Sequence, residues 1–505
     1  MLAICLGAAL LAPSSLPLAQ LPSLGDGGEM NLGVERRLGE RIARELYRDP
    51  DFIDDPVLVE YVQGIWQPLL AAARQRGDLS PELDQRFAWE IMLGRDRSIN
   101  AFALPGGYLG LHLGLIGAAT SRDELASVLA HELSHVTQRH ISRLIGQQSK
   151  QAPLMIGAMI LGAIVAGKNP EAGNAVIATG QALAVQGQLN FSRDMEREAD
   201  RIGYGVLTQA GFDPQGFVTL FDKLQQASRH NDTGAFPYLR THPLTTERMA
   251  DMSARHNLSN QSGAVGAGLP AQAKMDHAMV SARARVLSSV GVDALRSWLV
   301  APPDVAPQVH TQALVREAGV RYAATLAALR LRDFSLAKQG VARLLELTQA
   351  DPQARRLALL LAAEVAGASN EPERATELLR DLQRVGTGAR RPELLMGCQT
   401  LMAAGRASDA VSHLQTWVSL HPRDATAWQL LATALNQQGQ TLRAIRADAE
   451  AQVAHLDYKA ALDRFKAAQD WVRTRGTVAD HVDASIIDTR ARQVELLLRE
   501  QTLER

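Results

Sequence analysis

The chain has 505 residues, 46% of them apolar and 21% charged, with a net charge of −1. That is more chain than one ordinary core organises, so two to four domains are expected, with the composition of a folded globular protein. The balanced charge gives no basic excess, so nucleic acid is not expected as a partner. Two cysteines, Cys5 and Cys398, exclude a thiolate metal site and a disulfide framework.

Residues 1–20, MLAICLGAALLAPSSLPLAQ, read as a secretory leader. Two details run against this: no Lys or Arg precedes the apolar run, and Pro17 stands three residues before a cleavage after Ala19. A frayed apolar N-terminus of a cytosolic chain is the alternative. Residues 30–75 read as helix, with Leu32, Val34, Leu38, Ile42 and Leu46 at helical spacing. RFAWEIML then alternates like a strand. NAFALPGGYLGLHLGLI carries a Pro-Gly-Gly turn before Tyr108, Leu109 and Leu111, a hairpin-like β unit ahead of a helix over 121–147. The most apolar stretch, 152–167, and a second apolar helix to about 188 form either a helical hairpin packed on the protein or one that touches a membrane surface or covers a cleft. A polar helix, FSRDMEREADRIGYGVLTQAG, ends at Gly211, and another spans about 214–228. The Ser-, Gly- and Asn-rich stretch HNLSNQSGAVGAGLPAQ has linker composition. The expected division is therefore a leader over 1–20, a first domain over 30–258, a linker over 259–272 and a second domain over 273–505.

That second domain reads as wholly helical and repetitive. Small residues recur in alternate helices at Gly340, Ala375, Ala410 and Ala444, and Cys398, Leu401, Ala410, Leu414, Trp417 and Pro422 fit one tetratricopeptide unit. Such helix pairs cannot bury their apolar faces alone and stack into an α-solenoid with a concave surface. A plain helical bundle is the alternative.

The chemistry concentrates in VLAHELSHVTQRH, residues 128–140. At about 100° per residue, His131 and His135 lie about 40° apart and reach a single ion, whereas His140 is about 180° from His131 and is expected to point away. In the HExxH pattern Glu132 does not ligate but takes a proton from metal-bound water, whose pKa zinc lowers to about 7. The apolar flanks (Leu125, Val128, Leu129, Leu133) place the histidines near a core, where unpaired imidazoles are costly. Zinc needs a third protein ligand. Glu196 is the best candidate, with Asp200 one turn on to accept the second N–H of a ligating histidine. Glu198, about 200° from Glu196, is expected on the solvated side. The alternative for Glu196 and Asp200 is a salt-bridged face with Arg193, Arg197 and Arg201.

HELSH followed by FSRDMEREADRIG resembles the gluzincin metallopeptidases, the class that includes HtpX and the CaaX prenyl proteases. With ASVLAHELSHVTQRH, THPLTTERMAD and the repeats added, the chain resembles the periplasmic, BepA-type branch of β-barrel assembly-enhancing proteases. The resemblance implies a mainly α fold: a gluzincin-type metallopeptidase domain of helices with a small β-sheet, followed by the tetratricopeptide α-solenoid. It implies one Zn2+ per chain on His131, His135 and Glu196, with Glu132 and Asp200 as catalytic groups. It further implies that His242 can take zinc's fourth position as a removable regulatory ligand, and that Arg248 stabilises an oxyanion or the local fold. The strand around Gly107, Leu109 and Leu111 is expected to pair with an extended substrate.

The function expected is a zinc endopeptidase of the bacterial periplasm that degrades misfolded envelope proteins and assists outer-membrane β-barrel assembly. Its partners would be unfolded outer-membrane proteins and the barrel-assembly machinery, with peripheral membrane contact. The alternative is a chaperone-like repeat scaffold with latent proteolysis.

Overall fold

The computed structural model describes residues 30–146, 192–230, 237–261, 274–300, 311–385, 390–476 and 480–503. The leader, the apolar stretch 152–187 and most of the linker lie outside the described residues. No helix among those described is long and apolar enough to cross a membrane.

The stretch expected as one helix over 30–75 is two: α1 (Leu32–Arg48) and α2 (Pro56–Arg76). Pro56 is the reason. It disfavours helical backbone at the residue before it, and Asp55 instead caps the new helix, its side chain accepting from Leu58 N. Helix α2 buries Ile65, Trp66, Leu69 and Leu70 and ends at Gly77 in the left-handed conformation. After α3 (Pro81–Arg86) come β1 (Glu90–Gly94), β2 (Ala101–Leu104) and β3 (Tyr108–His112).

The sheet has the order β1-β3-β2. β2 and β3 pair antiparallel, as a hairpin should, through a turn whose Gly106 and Gly107 have φ of 72° and 83°. A Cβ at Gly106 would stand 2.7 Å from Arg36 Cα, so the turn is fixed against α1 as well as by its own backbone. β1 pairs parallel on the far side of β3.

Helices α4 (Leu113–Ala118) and α5 (Arg122–Thr137) follow, the second capped by Ser121 accepting from Glu124 N. From Glu124 to Thr137 every residue of α5 is buried. The expected helix over 121–147 breaks at Arg139, whose φ is 54°, and restarts as α6 (His140–Gly146). Helix α7 (Arg193–Gln209) lies directly on α5 because Gly203 has no side chain: a Cβ there would meet Ala130 O at 3.1 Å. Helices α8 (Gln215–His230), α9 (Pro237–Thr241) and α10 (Thr246–Gln261) close the first part.

Beyond the linker, α11 (Met275–Leu287) is followed by α12 (Val292–Ser297). Antiparallel pairs then follow: α13 (Thr311–Arg330) with α14 (Phe334–Leu347), α15 (Pro352–Ala368) with α16 (Pro372–Val385), α17 (Arg391–Ala403) with α18 (Ala407–Leu420), α19 (Ala425–Gln437) with α20 (Thr441–Ala454), and α21 (Tyr458–Arg475) with α22 (His481–Leu503). The small residues of the 34–35-residue step sit in the second helix of successive pairs. Ala375 and Ala410 are wholly buried, and a Cβ on Gly340 would run into Thr325 Oγ1. They are small because the neighbouring helix lies against them.

The repeats pack on the first part of the chain. One hydrophobic core runs from Val57 through Leu129 and Tyr322 to Met396. Ion pairs reinforce it: Arg391 joins Asp54 to Asp424, Arg356 joins Glu60 to Glu393, and Arg48 meets Asp457.

Candidate metal centre

Four side chains converge beneath β2. His131 and His135 project from one face of α5 with Nε2 atoms 3.0 Å apart. Glu196, in the first turn of α7, places Oε2 3.4 Å from His131 Nε2 and Oε1 3.4 Å from His135 Nε2. His242, just past α9, brings Nδ1 to 3.0 Å from Glu196 Oε1 and 3.3 Å from His131 Nε2. All four are buried, and each offers a ligand atom within 4.8 Å of the others.

This spacing tests the donor set against a cation. Ligands about 2.0–2.1 Å from a tetrahedral zinc stand about 3.3–3.4 Å apart. The observed separations of 3.0 to 3.4 Å match that, so the four groups are spaced as ligands of one shared cation would be. Three imidazoles and one carboxylate suit zinc, and the set has room for one ion.

Glu132 stands beside this cluster without joining it. Its Oε2 accepts from Ala103 N of β2 at 2.9 Å. Its Oε1 is buried with no hydrogen-bond partner and faces His242 Nε2 at 3.4 Å. A buried carboxylate oxygen without a donor is costly unless a molecule that enters the site supplies one.

Around these groups lies a supporting layer. Asp200, one turn along α7 from Glu196, sets Oδ1 3.0 Å from His131 Nδ1. Arg248 of α10 grips Asp200 from behind, reaches Pro243 O at 2.9 Å and lies over the Phe221 ring. Arg248 is thereby committed to Asp200 and to Glu196 Oε2 at 2.7 Å. These contacts fit the local-fold half of the expectation for Arg248. Arg197 turns outward to Asp194 and Glu247, so the salt-bridged-face alternative for Glu196 and Asp200 is not what forms.

The electrostatics follow from burial and these partners. Burial alone would raise the Glu196 carboxyl, but His242, then His131 and His135, hold it well below the usual range. Asp200 is likewise depressed, because hydrogen bonds from Arg248 and His131 overcome its burial. Burial opposes a charge on His131, yet bonds to Asp200 and Glu196 draw it up to about 9. Burial keeps His135 well below its ordinary value. The site is thus rich in negative charge and short of one cation.

Three expectations need correction. Gly107, Leu109 and Leu111 do not offer a substrate edge: Gly107 is in the turn, and β3 is the middle strand, paired on both sides. The edge that faces Glu132 belongs to β2. His140 does not point away. The break at Arg139 turns it back, so that its Nδ1 lies 2.8 Å from His135 Nδ1. Glu198 is not simply solvated, since it meets His140 Nε2 at 3.1 Å and Arg143 Nη1 at 2.9 Å. Helical-wheel arithmetic missed both because it assumes one unbroken helix.

Tyr238 was not anticipated. It is buried, stacks on His242 with ring centroids 4.6 Å apart, and its N–H donates to Ile99 O at 3.4 Å, beside β2. Its place one turn before His242 was the available signal.

Residues 71–256 match the sequence model of peptidase family M48. The chain is similar to a protein of Vibrio cholerae bearing the name "Putative beta-barrel assembly-enhancing protease", 39% identical over 242 residues, which is 47% of each chain. It is 28% identical to the beta-barrel assembly-enhancing protease of Escherichia coli K12 over 479 residues, covering 94% of this chain and 92% of that one. Over 199 residues it is also 28% identical to the mitochondrial metalloendopeptidase OMA1 of Saccharomyces cerevisiae, covering 38% of this chain and 54% of that one.

Proposed function

We propose that the chain is a zinc endopeptidase of the bacterial periplasm, with residues 71–256 as a catalytic domain of the M48 type, that removes misfolded or misassembled envelope proteins and assists outer-membrane β-barrel assembly. The single observation that carries the catalytic reading is the buried Oε1 of Glu132, without a donor, beside the His131–His135–Glu196 cluster. Those three residues would hold the zinc, which when bound polarises the scissile carbonyl and acidifies a water. Glu132 takes the water's proton and returns it to the leaving amine. Its other oxygen is tethered to Ala103 N, which fixes the carboxylate at the β2 edge.

An extended substrate is read as pairing with that edge, backbone to backbone, which suits a protease that meets many unrelated unfolded chains. His242 occupies the place a substrate or water needs, so the enzyme rests plugged. The periplasmic site rests on the leader-like residues 1–20 and on the long match to the E. coli relative. The division at 259–272 separates catalysis from recognition, with the repeats binding unfolded outer-membrane proteins or the assembly machinery.

The buried His242 favours one second reading, a chaperone-like repeat scaffold whose proteolysis is latent. Zinc content and casein cleavage of wild type, Glu132→Gln and His242→Ala separate the two. The protease reading expects bound zinc in all three, no cleavage by E132Q and faster cleavage by H242A. Full support of barrel assembly by E132Q would instead place the function in the repeats.

A further inference from the structure

We infer that His140 and Glu198 are positioning residues: they hold His135 in the tautomer that binding a metal through Nε2 requires. The inference rests on the zinc reading above and adds two residues to it. His135 presents Nε2 to the cluster and Nδ1 to His140 Nδ1 at 2.8 Å. Between two ring nitrogens this close there is room for one proton. A neutral His135 that gives its Nε2 lone pair to a cation must carry that proton on Nδ1 and donate it to His140. The proton of His140 then sits on Nε2 and donates to Glu198 Oε2 at 3.1 Å. Arg143 Nη1, 2.9 Å from the same oxygen, keeps the carboxylate facing inward. The two ligating histidines are therefore served differently. His131 meets a carboxylate directly at Asp200, while His135 meets one through an intervening imidazole.

The backbone is built for this contact. Arg139 adopts φ of 54°, a conformation disfavoured for a side chain of its size, and its guanidinium is tied to Glu35 at 3.0 Å and to Ser142 Oγ at 3.1 Å. That turn ends α5 and swings His140, wholly buried, under His135. Partners of ligating histidines are worth about 10–100-fold in metal affinity.

The test measures the zinc dissociation constant of the full chain by competition with a chromogenic chelator, for wild type, His140→Phe, Glu198→Leu and Glu198→Gln. H140F keeps an aromatic ring, though a larger one, and removes both nitrogens, while E198Q keeps an acceptor oxygen. The expected result is zinc binding weakened about 10–100-fold in H140F and E198L, with E198Q within about threefold of wild type. Should H140F fail to fold, the partly exposed Glu198 pair carries the same comparison. H140F and E198L within twofold of wild type, or E198Q as weak as E198L, overturns the relay alone. A wild type that takes up no zinc overturns the metal reading and the relay with it.

Discussion

Arg248 holds Asp200 by two parallel hydrogen bonds, Nε to Oδ2 at 2.6 Å and Nη2 to Oδ1 at 2.8 Å, and the pair is almost fully buried. A fork of this kind fixes orientation as well as charge. Asp200 Oδ1 stands 3.0 Å from His131 Nδ1, so the arginine reaches the proposed metal centre at one remove. Arg248→Met leaves Asp200 ionised and buried beside Glu196 with His131 as its remaining partner. It is expected to lower stability by about 3–5 kcal/mol and to lose zinc. Arg248→Lys restores the charge without the fork and should fall between. Urea unfolding and zinc content check both, and an R248M protein as stable and as zinc-loaded as wild type would contradict the assignment.

Tyr238 would anchor the proposed His242 plug at two points, by stacking on the imidazole and by its backbone bond to Ile99 O. Tyr238→Ala removes the stacking and leaves the imidazole. Casein cleavage should therefore rise several-fold, though by less than in His242→Ala, because the ligand itself remains. In the double variant Glu132→Gln/Tyr238→Ala the gain should vanish. A gain that survives would mean the new activity does not come from this site.

His277 of α11 lies between Tyr61 Oη, 2.6 Å from its Nδ1, and Ala119 O, 2.9 Å from its Nε2, where helix α11 meets the catalytic part. Burial lowers its pKa below the usual 6.5, against the pull of the Ala119 carbonyl and of Asp276 and Glu124, while Lys223 lowers it further. Between the folded and unfolded pKa values the unfolded chain binds more protons, so stability rises with pH there. The native state should be unaffected above about pH 6.5 and lose stability as pH falls from there towards the folded pKa. Urea midpoints measured from pH 7.5 down to 5 should fall for wild type and fall less for His277→Gln. Parallel curves for the two proteins would remove His277 as a source of the acid sensitivity.

Much of the centre was legible because helical geometry is regular over one turn. His131 with His135, and Glu196 with Asp200, each need only a spacing of four, and α5 and α7 are unbroken across them. His140 and Glu198 were misjudged because their relation depends on Arg139 leaving the helix, and no motif in TQRH announces a left-handed arginine. The strand error has another cause. PGGYLGLH was identified as strand next to the helix, but period-2 alternation fixes which face a residue occupies and says nothing about which strand is at the edge. The repeat step at Gly340, Ala375, Ala410 and Ala444 was visible because close helix packing demands small residues at equivalent places. How the repeats seat on the first part was not visible, since Arg391 and Asp54 are far apart in sequence and neither stands in a recognisable pattern.

That seating leads to a last prediction. Arg283 of α11 is buried between Asp55, at 2.7 Å, and Glu364 of α15, also at 2.7 Å, with Tyr322 Oη a further partner at 3.1 Å. Asp55 is already the cap of α2, so one carboxylate ties the start of a core catalytic helix to the first repeats. A guanidinium enclosed this way cannot shed its charge; Asp55 is buried beneath it, while Glu364 keeps part of its side chain at the surface. Arg283→Met therefore leaves Asp55 buried without its counter-ion and Glu364 half-buried without one, and should cost about 3 kcal/mol. The loss falls at the junction, so the single thermal transition expected of wild type should separate into two, with the repeats and the metal domain melting independently. Replacing Asp55 by Asn in the same chain should recover part of the loss, because one stranded charge is then gone. Calorimetry of the three proteins decides it. One unshifted transition in R283M would mean that the apolar core between Val57 and Met396 couples the two parts without help from this ion cluster.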